Sequence, residues 1–187
     1  LSAGLAYAHE NQLVHSDLKP GNCFITKDKT VKLLDFGIAQ ASKTRVDAEG
    51  ETTLFNPGDL GALTPTYATI EMFDGREPDP RDDIYALAII TYQLLTGRHP
   101  YDRKSAPRAQ EMGLTVAPVP GLSKRQNRTL AAGLAFTRDE RIPSVDVFLD
   151  GLRPKKSYAK QIGLAAAVAV TAIGLGVLLV VVVCAAC

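Results

Sequence analysis

The chain has 187 residues, a formal net charge of +1 and 46% hydrophobic residues. Basic residues are mixed among acids over most of its length, which argues against a nucleic-acid-binding protein with a clustered basic face. Three cysteines do not form a disulfide framework. About 160 residues precede an apolar C-terminus, and this length is typical of one globular domain.

The first third of the chain carries a dense run of polar motifs. Leu1, Leu5 and Ala8 recur at helical spacing ahead of this run and predict a helix that leads into it. The motifs are, in chain order, His15-Ser16-Asp17-Leu18-Lys19-Pro20-Gly21-Asn22, Asp35-Phe36-Gly37, Thr64-Pro65-Thr66-Tyr67 and Glu71.

Two apolar-rich runs between Asn22 and Asp35 flank a polar stretch and predict a β-hairpin. If the turn is centred on Asp28 and Lys29, residue 22 lies opposite residue 35. An amide oxygen and a carboxylate then meet at the open end, and both are oxygen ligands that suit the Mg²⁺ of a bound nucleotide. Asp17, just before the first strand, can orient a substrate hydroxyl and accept its proton. Taken singly, each Asp or Asn is more commonly a loop residue that bonds nearby backbone.

Together these motifs resemble the large C-terminal lobe of the eukaryotic-type protein kinases, over roughly residues 1 to 152. The resemblance implies an α+β, mainly α-helical fold with a small β-hairpin at the catalytic site. It also implies a serine/threonine kinase that uses ATP and Mg²⁺ to phosphorylate protein substrates. Asp17 would be the base, Lys19 would contact the transferred phosphate, and Thr64 would bond both and shape the substrate platform. Asn22 and Asp35 would hold the metal.

The same resemblance assigns structural roles to four further residues. His15 would be a packed, hydrogen-bonded residue, and Glu71 would pair with a buried Arg, for which Arg141 is the candidate. Asp83 matches the acid that holds the catalytic-loop backbone, although a simple capping role is the plainer alternative. His9 and His99 are expected to have surface or packing roles.

Three departures from the kinase pattern keep a second hypothesis open. Ser16 stands where many kinases have Arg, and Ile70 replaces the Pro of an Ala-Pro-Glu motif. No Gly-rich phosphate loop, strand Lys or helix Glu precedes the catalytic loop. We therefore expect a fragment of a longer protein that, as written, binds nucleotide poorly and does not turn over. The alternative is a non-catalytic, kinase-like membrane scaffold, or more weakly a membrane-tethering module.

Capping signals predict the helices of the second half. Asp79 and Pro80 begin a helix that Gly97 ends, and the apolar run from Ile84 to Leu95 predicts that this helix is buried on nearly all sides. Residues 106–120 predict a short helix followed by a linker. Two more helices are expected, from Ser123 to about Ala135 and from Ser144 through Leu152.

The C-terminus predicts a membrane anchor. Four cations, Arg153, Lys155, Lys156 and Lys160, precede an uncharged run over residues 162–187. A helix of this length reaches about 39 Å, longer than the roughly 30 Å hydrocarbon slab. We therefore expect a kinase lobe over 1–152, a basic linker over 153–161 and a single transmembrane helix over 162–187. The flanking cations predict a cytoplasmic kinase side. A homodimer is a further expectation.

Overall fold

In the part of the chain that the structure describes, short helices surround one long helix, with two small antiparallel sheets. The computed structural model describes residues 1–36, the backbone of Gln40–Ala41, and residues 64–154. Leu1–Arg153 form one compact unit. Its elements are α1 (Ser2–Glu10), β1 (Leu13–Val14), a 3₁₀ turn (Pro20–Asn22), β2 (Cys23–Ile25), β3 (Val31–Leu33), β4 (Gln40–Ala41), α2 (Ile70–Phe73), α3 (Pro80–Thr96), α4 (Ala106–Glu111), α5 (Lys124–Gly133) and α6 (Val145–Leu152).

The central helix α3 begins and ends where its sequence predicts. Asp79 and Asp82 form a reciprocal capping box, with Pro80 in the first turn. Gly97 ends the helix with φ 71°, a left-handed conformation that glycine adopts without a steric penalty. Residues 82–90 are all buried. The prediction of burial was wrong for the last turn, where Leu94 is 81% exposed, because no part of the described chain covers it.

The hairpin exists, but its register differs from the predicted one by one residue. Ile25 pairs with Val31 and Cys23 pairs with Leu33, so the loop has five residues and is centred on Asp28 alone. Asn22 therefore lies opposite Leu34 rather than Asp35. This pair is joined by a bond from Leu34 N to Asn22 O of 2.9 Å. A second two-stranded sheet, β1 with β4, was not predicted.

The remaining helices pack around α3 through an apolar core. Leu5 of α1, Leu130 of α5 and Phe148 of α6 are each 1% exposed or less. Gly133 makes a close helix contact possible, since a Cβ there would lie 2.8 Å from the Phe148 ring. Ser123 and Ser144 cap α5 and α6 as predicted, although α5 ends two residues before the expected Ala135. The short helix expected in residues 106–120 is α4.

The predicted membrane anchor falls outside the described residues. Linker residues 155–161, the span 162–187 and Gly37 are among those that the structure does not describe. In the part that it does describe, no helix combines the length and the apolar character that a bilayer crossing requires.

Candidate functional site

Three predicted site residues form one hydrogen-bonded triangle. Lys19 Nζ lies 2.6 Å from Asp17 Oδ2 and 2.9 Å from Thr64 Oγ1. The Thr64 hydroxyl donates its single proton to Asp17 Oδ1 over 2.9 Å. Asp17 and Thr64 are 47 residues apart in the chain, so this contact is tertiary. The structure thus brings together the base, the phosphate-contacting cation and the platform residue that the resemblance assigns.

Asn22 joins the same cluster through its amide nitrogen. Asn22 Nδ2 donates to Asp17 O at 2.9 Å and to Asp17 Oδ2 at 3.1 Å. The 3₁₀ turn that begins at Pro20 places the side chain there, and it is largely buried. Because both amide protons are used, the orientation of the amide is set and its Oδ1 is the atom left for a cation. An amide oxygen of this kind fits Mg²⁺.

Asp35 lies two residues beyond the end of the β2–β3 pairing. It is exposed and has φ 57°, a left-handed conformation that Asp tolerates better than most side chains. Its backbone follows Leu34, whose N–H bonds the Asn22 carbonyl. The carboxylate and the Asn22 amide oxygen therefore come from the same end of the hairpin. As a donor set, they fit the few protein ligands that Mg²⁺ takes beside a nucleotide, and their assignment as ligands stays a prediction.

His15 connects the catalytic loop to the Asp35-Phe36 segment. Its ring is fully buried, with Nε2 3.0 Å from Leu34 O. Its Nδ1 accepts from the N–H of Asp17 at 3.3 Å, so the bonding pattern assigns the neutral tautomer with its proton on Nε2. The imidazole also packs against Phe36, with ring centroids 4.6 Å apart. These contacts describe a positioning residue and not a reacting group.

Asp83 holds the loop backbone from the first turn of α3. Its carboxylate accepts from His15 N at 2.8 Å and from Ser16 N at 2.9 Å. These bonds hold Ser16 at φ 63°, one residue before Asp17. The plainer alternative, a capping acid, does not describe Asp83, because Asp82 is the residue that completes the capping box.

His9 makes a contact that the sequence reasoning missed. Its Nε2 lies 2.8 Å from Asp83 Oδ2, although 74 residues separate the two in the chain. The side chain is 11% exposed. One signal could have indicated this, because His9 follows the buried Leu5 by four residues and so shares its helix face. His9 therefore supports the acid that anchors the catalytic loop.

His99 is also buried and has a packing role. It is held by the loop around it, with Nε2 3.0 Å from Thr66 O and Nδ1 accepting from Tyr101 N at 3.1 Å. Burial lowers the pKa of His99, so the ring is held neutral between these backbone groups. It fastens the segment after Thr64 to the turn that follows α3.

A second buried network joins Glu71 to Arg141. Arg141 Nη2 lies 3.1 Å from Glu71 Oε2, and the Arg141 side chain is 0% exposed. Burial by itself would raise the pKa of Glu71, but the Arg141 guanidinium and the backbone donors outweigh it and hold that pKa below its ordinary value. The structure therefore places the predicted pair in contact.

Asp82 is the member of this network that the sequence reasoning missed. It lies 3.3 Å from Arg141 Nη1 and 2.9 Å from Arg138 Nη2, and it also accepts from the Thr69 hydroxyl at 3.1 Å. Burial raises the pKa of Asp82, against the opposing effect of the two arginines. A capping acid on a buried helix turn is only a weak sequence signal of such a network, because its partners come from distant parts of the chain.

The Ser16 side chain departs from the kinase pattern. Its Oγ is buried and has no hydrogen-bond partner among the described residues. Ser16 lines a cavity of about 10 Å³ together with Asp17, Thr64 and Met72. The side chain is therefore turned into the molecule beneath the catalytic loop. Where many kinases have a cation that receives an activation-loop phosphate, this position offers no charge.

Comparisons with known proteins agree with this geometry. A model of the protein kinase domain matches residues 1–131. The chain is 33% identical over 150 residues to the probable serine/threonine-protein kinase PknB of Bifidobacterium longum, covering 77% of this chain and 21% of that protein. It is 35% identical over 154 residues to serine/threonine-protein kinase PksC of Streptomyces coelicolor, covering 79% and 27%. To serine/threonine-protein kinase PrkC of Bacillus subtilis it is 38% identical over 104 residues, covering 56% and 15%. The chain thus spans less than a third of each of these relatives.

Proposed function

Because this chain belongs to the protein kinase domain family, we propose that it supplies the catalytic loop of a serine/threonine protein kinase. The reaction would transfer the γ-phosphate of ATP to a Ser or Thr hydroxyl of a protein substrate. The observation that carries this proposal is the convergence of Asp17, Lys19, Asn22 and Thr64 in one hydrogen-bonded cluster. Each of them has the chemistry that the transfer needs at that place.

The hydrogen-bond acceptor sites of the Asp17 carboxylate indicate where a substrate hydroxyl would dock. Oδ2 already accepts from Lys19 and Asn22, whereas among the described residues Oδ1 accepts from Thr64 alone. Each carboxylate oxygen has two acceptor sites, so Oδ1 keeps one for the incoming hydroxyl. The hydroxyl would then lie beside Thr64, which accounts for a platform role of that residue. Its oxygen would form a bond to the γ-phosphorus as the bond to the β–γ bridging oxygen breaks, and its proton would pass to Asp17.

Lys19 has a donor left for the phosphate. Two of its three ammonium protons point to Asp17 and Thr64, and in the part of the chain that the structure describes the third has no partner, so it can bond an oxygen of the transferred group. A fixed cation there stabilises the charge that develops on those oxygens. Bound Mg²⁺ would supply further neutralisation of the nucleotide phosphates, and Asn22 Oδ1 with the Asp35 carboxylate are the groups that would hold it.

The decisive experiment is phosphate incorporation by the complete natural protein with ATP and Mg²⁺. Asp17→Asn should abolish incorporation, because an amide cannot accept the proton. Asp28→Asn is the matched control, since this residue lies on the exposed hairpin loop, and it should keep wild-type activity. Equal activity of Asp17→Asn and wild type would remove Asp17 from the reaction. An inactive wild type that still binds ATP would favour the alternative, a kinase-like scaffold.

We also propose that the kinase side is cytoplasmic and anchored by a single membrane span over residues 162–187. The support is the uncharged run of 26 residues behind a flank with four cations and no acid after Asp150. Resistance of the membrane-bound protein to alkaline extraction tests the span. The expected homodimer stays a prediction.

A further inference from the structure

A cluster of cations lies where the described lobe ends. The face consists of Lys124, Arg125, Arg128 and Arg153, and we call it the basic face. On α5, Lys124 lies four residues from Arg128 and Arg125 lies three residues from it, so the three share one side of the helix. Lys124, Arg128 and Arg153 are exposed. α5 contains no acidic residue.

The end of α6 is fastened directly beside these cations. Gln126 Nε2 donates to Leu152 O at 2.7 Å, and Arg125 Nη2 donates to Arg153 O at 2.5 Å. The two helices approach so closely that a Cβ on Gly151 would overlap the Thr129 side chain. Hydrogen bonds from α5 side chains to backbone carbonyls therefore hold the C-terminal end of α6 beside the basic face.

The charge of this face is only partly balanced. Asp150 lies 3.5 Å from Arg125 Nη1, but it is 74% exposed and is the last acid in the sequence. The following residues add Lys155, Lys156 and Lys160 before the uncharged run begins. The basic face and the linker sequence are thus both positively charged, and the linker leads directly into the proposed membrane span.

We propose that the basic face binds the anionic lipid headgroups of the membrane surface and so orients the kinase lobe. This inference rests on the proposed membrane span. The eight residues 154–161 extend to roughly 28 Å at most, which keeps the face near the bilayer. Each Lys or Arg near an anionic surface contributes roughly fivefold in binding. A lipid surface is favoured over RNA because the chain itself delivers the face to the membrane.

The test follows the chemical reactivity of Lys124 in the full-length protein reconstituted in vesicles. One set contains phosphatidylcholine alone, and the other contains roughly one third phosphatidylglycerol. The rate of amine acetylation at Lys124 is measured by mass spectrometry, with the exposed Lys104 as an internal reference. We expect at least a fivefold slower reaction of Lys124 in the anionic vesicles only. The protection should vanish at about 1 M salt, where the screening length is roughly 3 Å.

Arg128→Glu should remove the protection while leaving Lys124 as the reporter. Arg98→Glu is the matched control, because Arg98 is also exposed but lies outside the basic face, and it should keep the protection. The salt titration of wild type decides the question if Arg128→Glu does not fold. Equal Lys124 rates in both vesicle types, or protection by added RNA and not by phosphatidylglycerol, would overturn the proposal.

Failure of the span and failure of the basic face give different results. If alkaline extraction releases the protein from the vesicles, the proposed span is wrong. The released protein is then mixed with preformed vesicles, and salt-sensitive protection of Lys124 by the anionic ones still supports lipid binding by the basic face. Retention of the protein without any protection would contradict the basic face alone.

Discussion

Two neighbouring acids on α3, Asp82 and Asp83, anchor two different parts of this kinase domain. Asp83 bonds two backbone N–H groups of the catalytic loop and the ring of His9. Asp82 bonds the guanidinium groups of Arg138 and Arg141. Both carboxylates are almost fully buried. Adjacent positions on a helix point about 100° apart, so one turn can hold two separate networks.

The difference lies in what each acid controls. The contacts of Asp83 end at the residue before Asp17, so they hold the proposed base in place. The contacts of Asp82 reach Arg141 and, through it, Glu71, so they join distant segments of the lobe. We therefore expect changes around Asp82 to act mainly on the free energy of unfolding, and changes around Asp83 to act more on phosphoryl transfer.

The largest effect should come from Arg141→Met. This change leaves Glu71 and Asp82 buried without their shared cation, and breaking such a buried pair typically costs about 3–5 kcal/mol. Urea unfolding of the protein measures the loss. Arg76→Met is the matched control, because Arg76 is 63% exposed and pairs with Asp74 only at 3.5 Å. A similar loss of stability in both variants would contradict the importance of the buried network.

Asp83→Asn should distinguish most clearly the role of Asp83 in phosphoryl transfer from the role of Asp82 in stability. An amide keeps one acceptor but presents an NH₂ group to backbone donors, so the Ser16 and His15 bonds cannot both survive. We expect about 1–3 kcal/mol less stability. We also expect the rate of phosphoryl transfer to fall at least tenfold. Urea unfolding measures the loss of stability, and kcat measures the loss of rate. Asp82→Asn should lose stability with a smaller change in kcat. If the loss of kcat relative to the loss of stability were the same in Asp83→Asn and Asp82→Asn, the proposed difference between the two acids would be wrong.

His9→Leu should give a smaller version of the Asp83 effect. The substitution removes one of the three donors that the described residues give to that carboxylate, at a cost of about 1 kcal/mol. His9→Gln is the control, since its side-chain amide can still donate. We expect kcat to fall by a few-fold in His9→Leu and to recover in His9→Gln. Unchanged kcat in His9→Leu would mean that the two backbone donors suffice.

The smallest effect should be a pH dependence of the stability contributed by Glu71, which belongs to the buried network around Asp82. The pKa of Glu71 is held below its ordinary value of 4.5, so its ion pair stabilises the fold above that pH and the stabilisation is lost as pH falls below it. Melting temperatures of wild type and Glu71→Gln should therefore converge as the pH falls. A constant difference between them at all pH values would show that Glu71 does not titrate as proposed.

Much of the site could be predicted from the sequence because its signals are short. The catalytic-loop residues Asp17, Lys19 and Asn22 lie within six positions of one another, and their spacing alone places them on one loop. Helix boundaries were equally readable, since a cap such as Asp79 or Ser123 acts on backbone groups two or three residues away.

The hairpin shows the limit of such local reasoning. The observed turn is centred half a residue earlier than the predicted one, which shifts the whole register by one and moves the partner of Asn22 from Asp35 to Leu34. The sequence does not distinguish a two-residue turn from the observed five-residue loop, in which Lys29 adopts φ 63°. Burial of α3 was overestimated at Leu94 for a related reason, because an apolar run does not reveal which neighbours cover it.

Sequence by itself determined the kinase motifs, the helix caps and the existence of the β2–β3 hairpin, because those depend on groups a few residues apart. Only the tertiary structure decided that Asp83 selects His9 and the loop backbone, while Asp82 selects two arginines. These partners lie between 56 and 74 residues away in the chain. Packing around α3 brings them together, and no pattern of adjacent residues encodes which side of a helix turn each will meet.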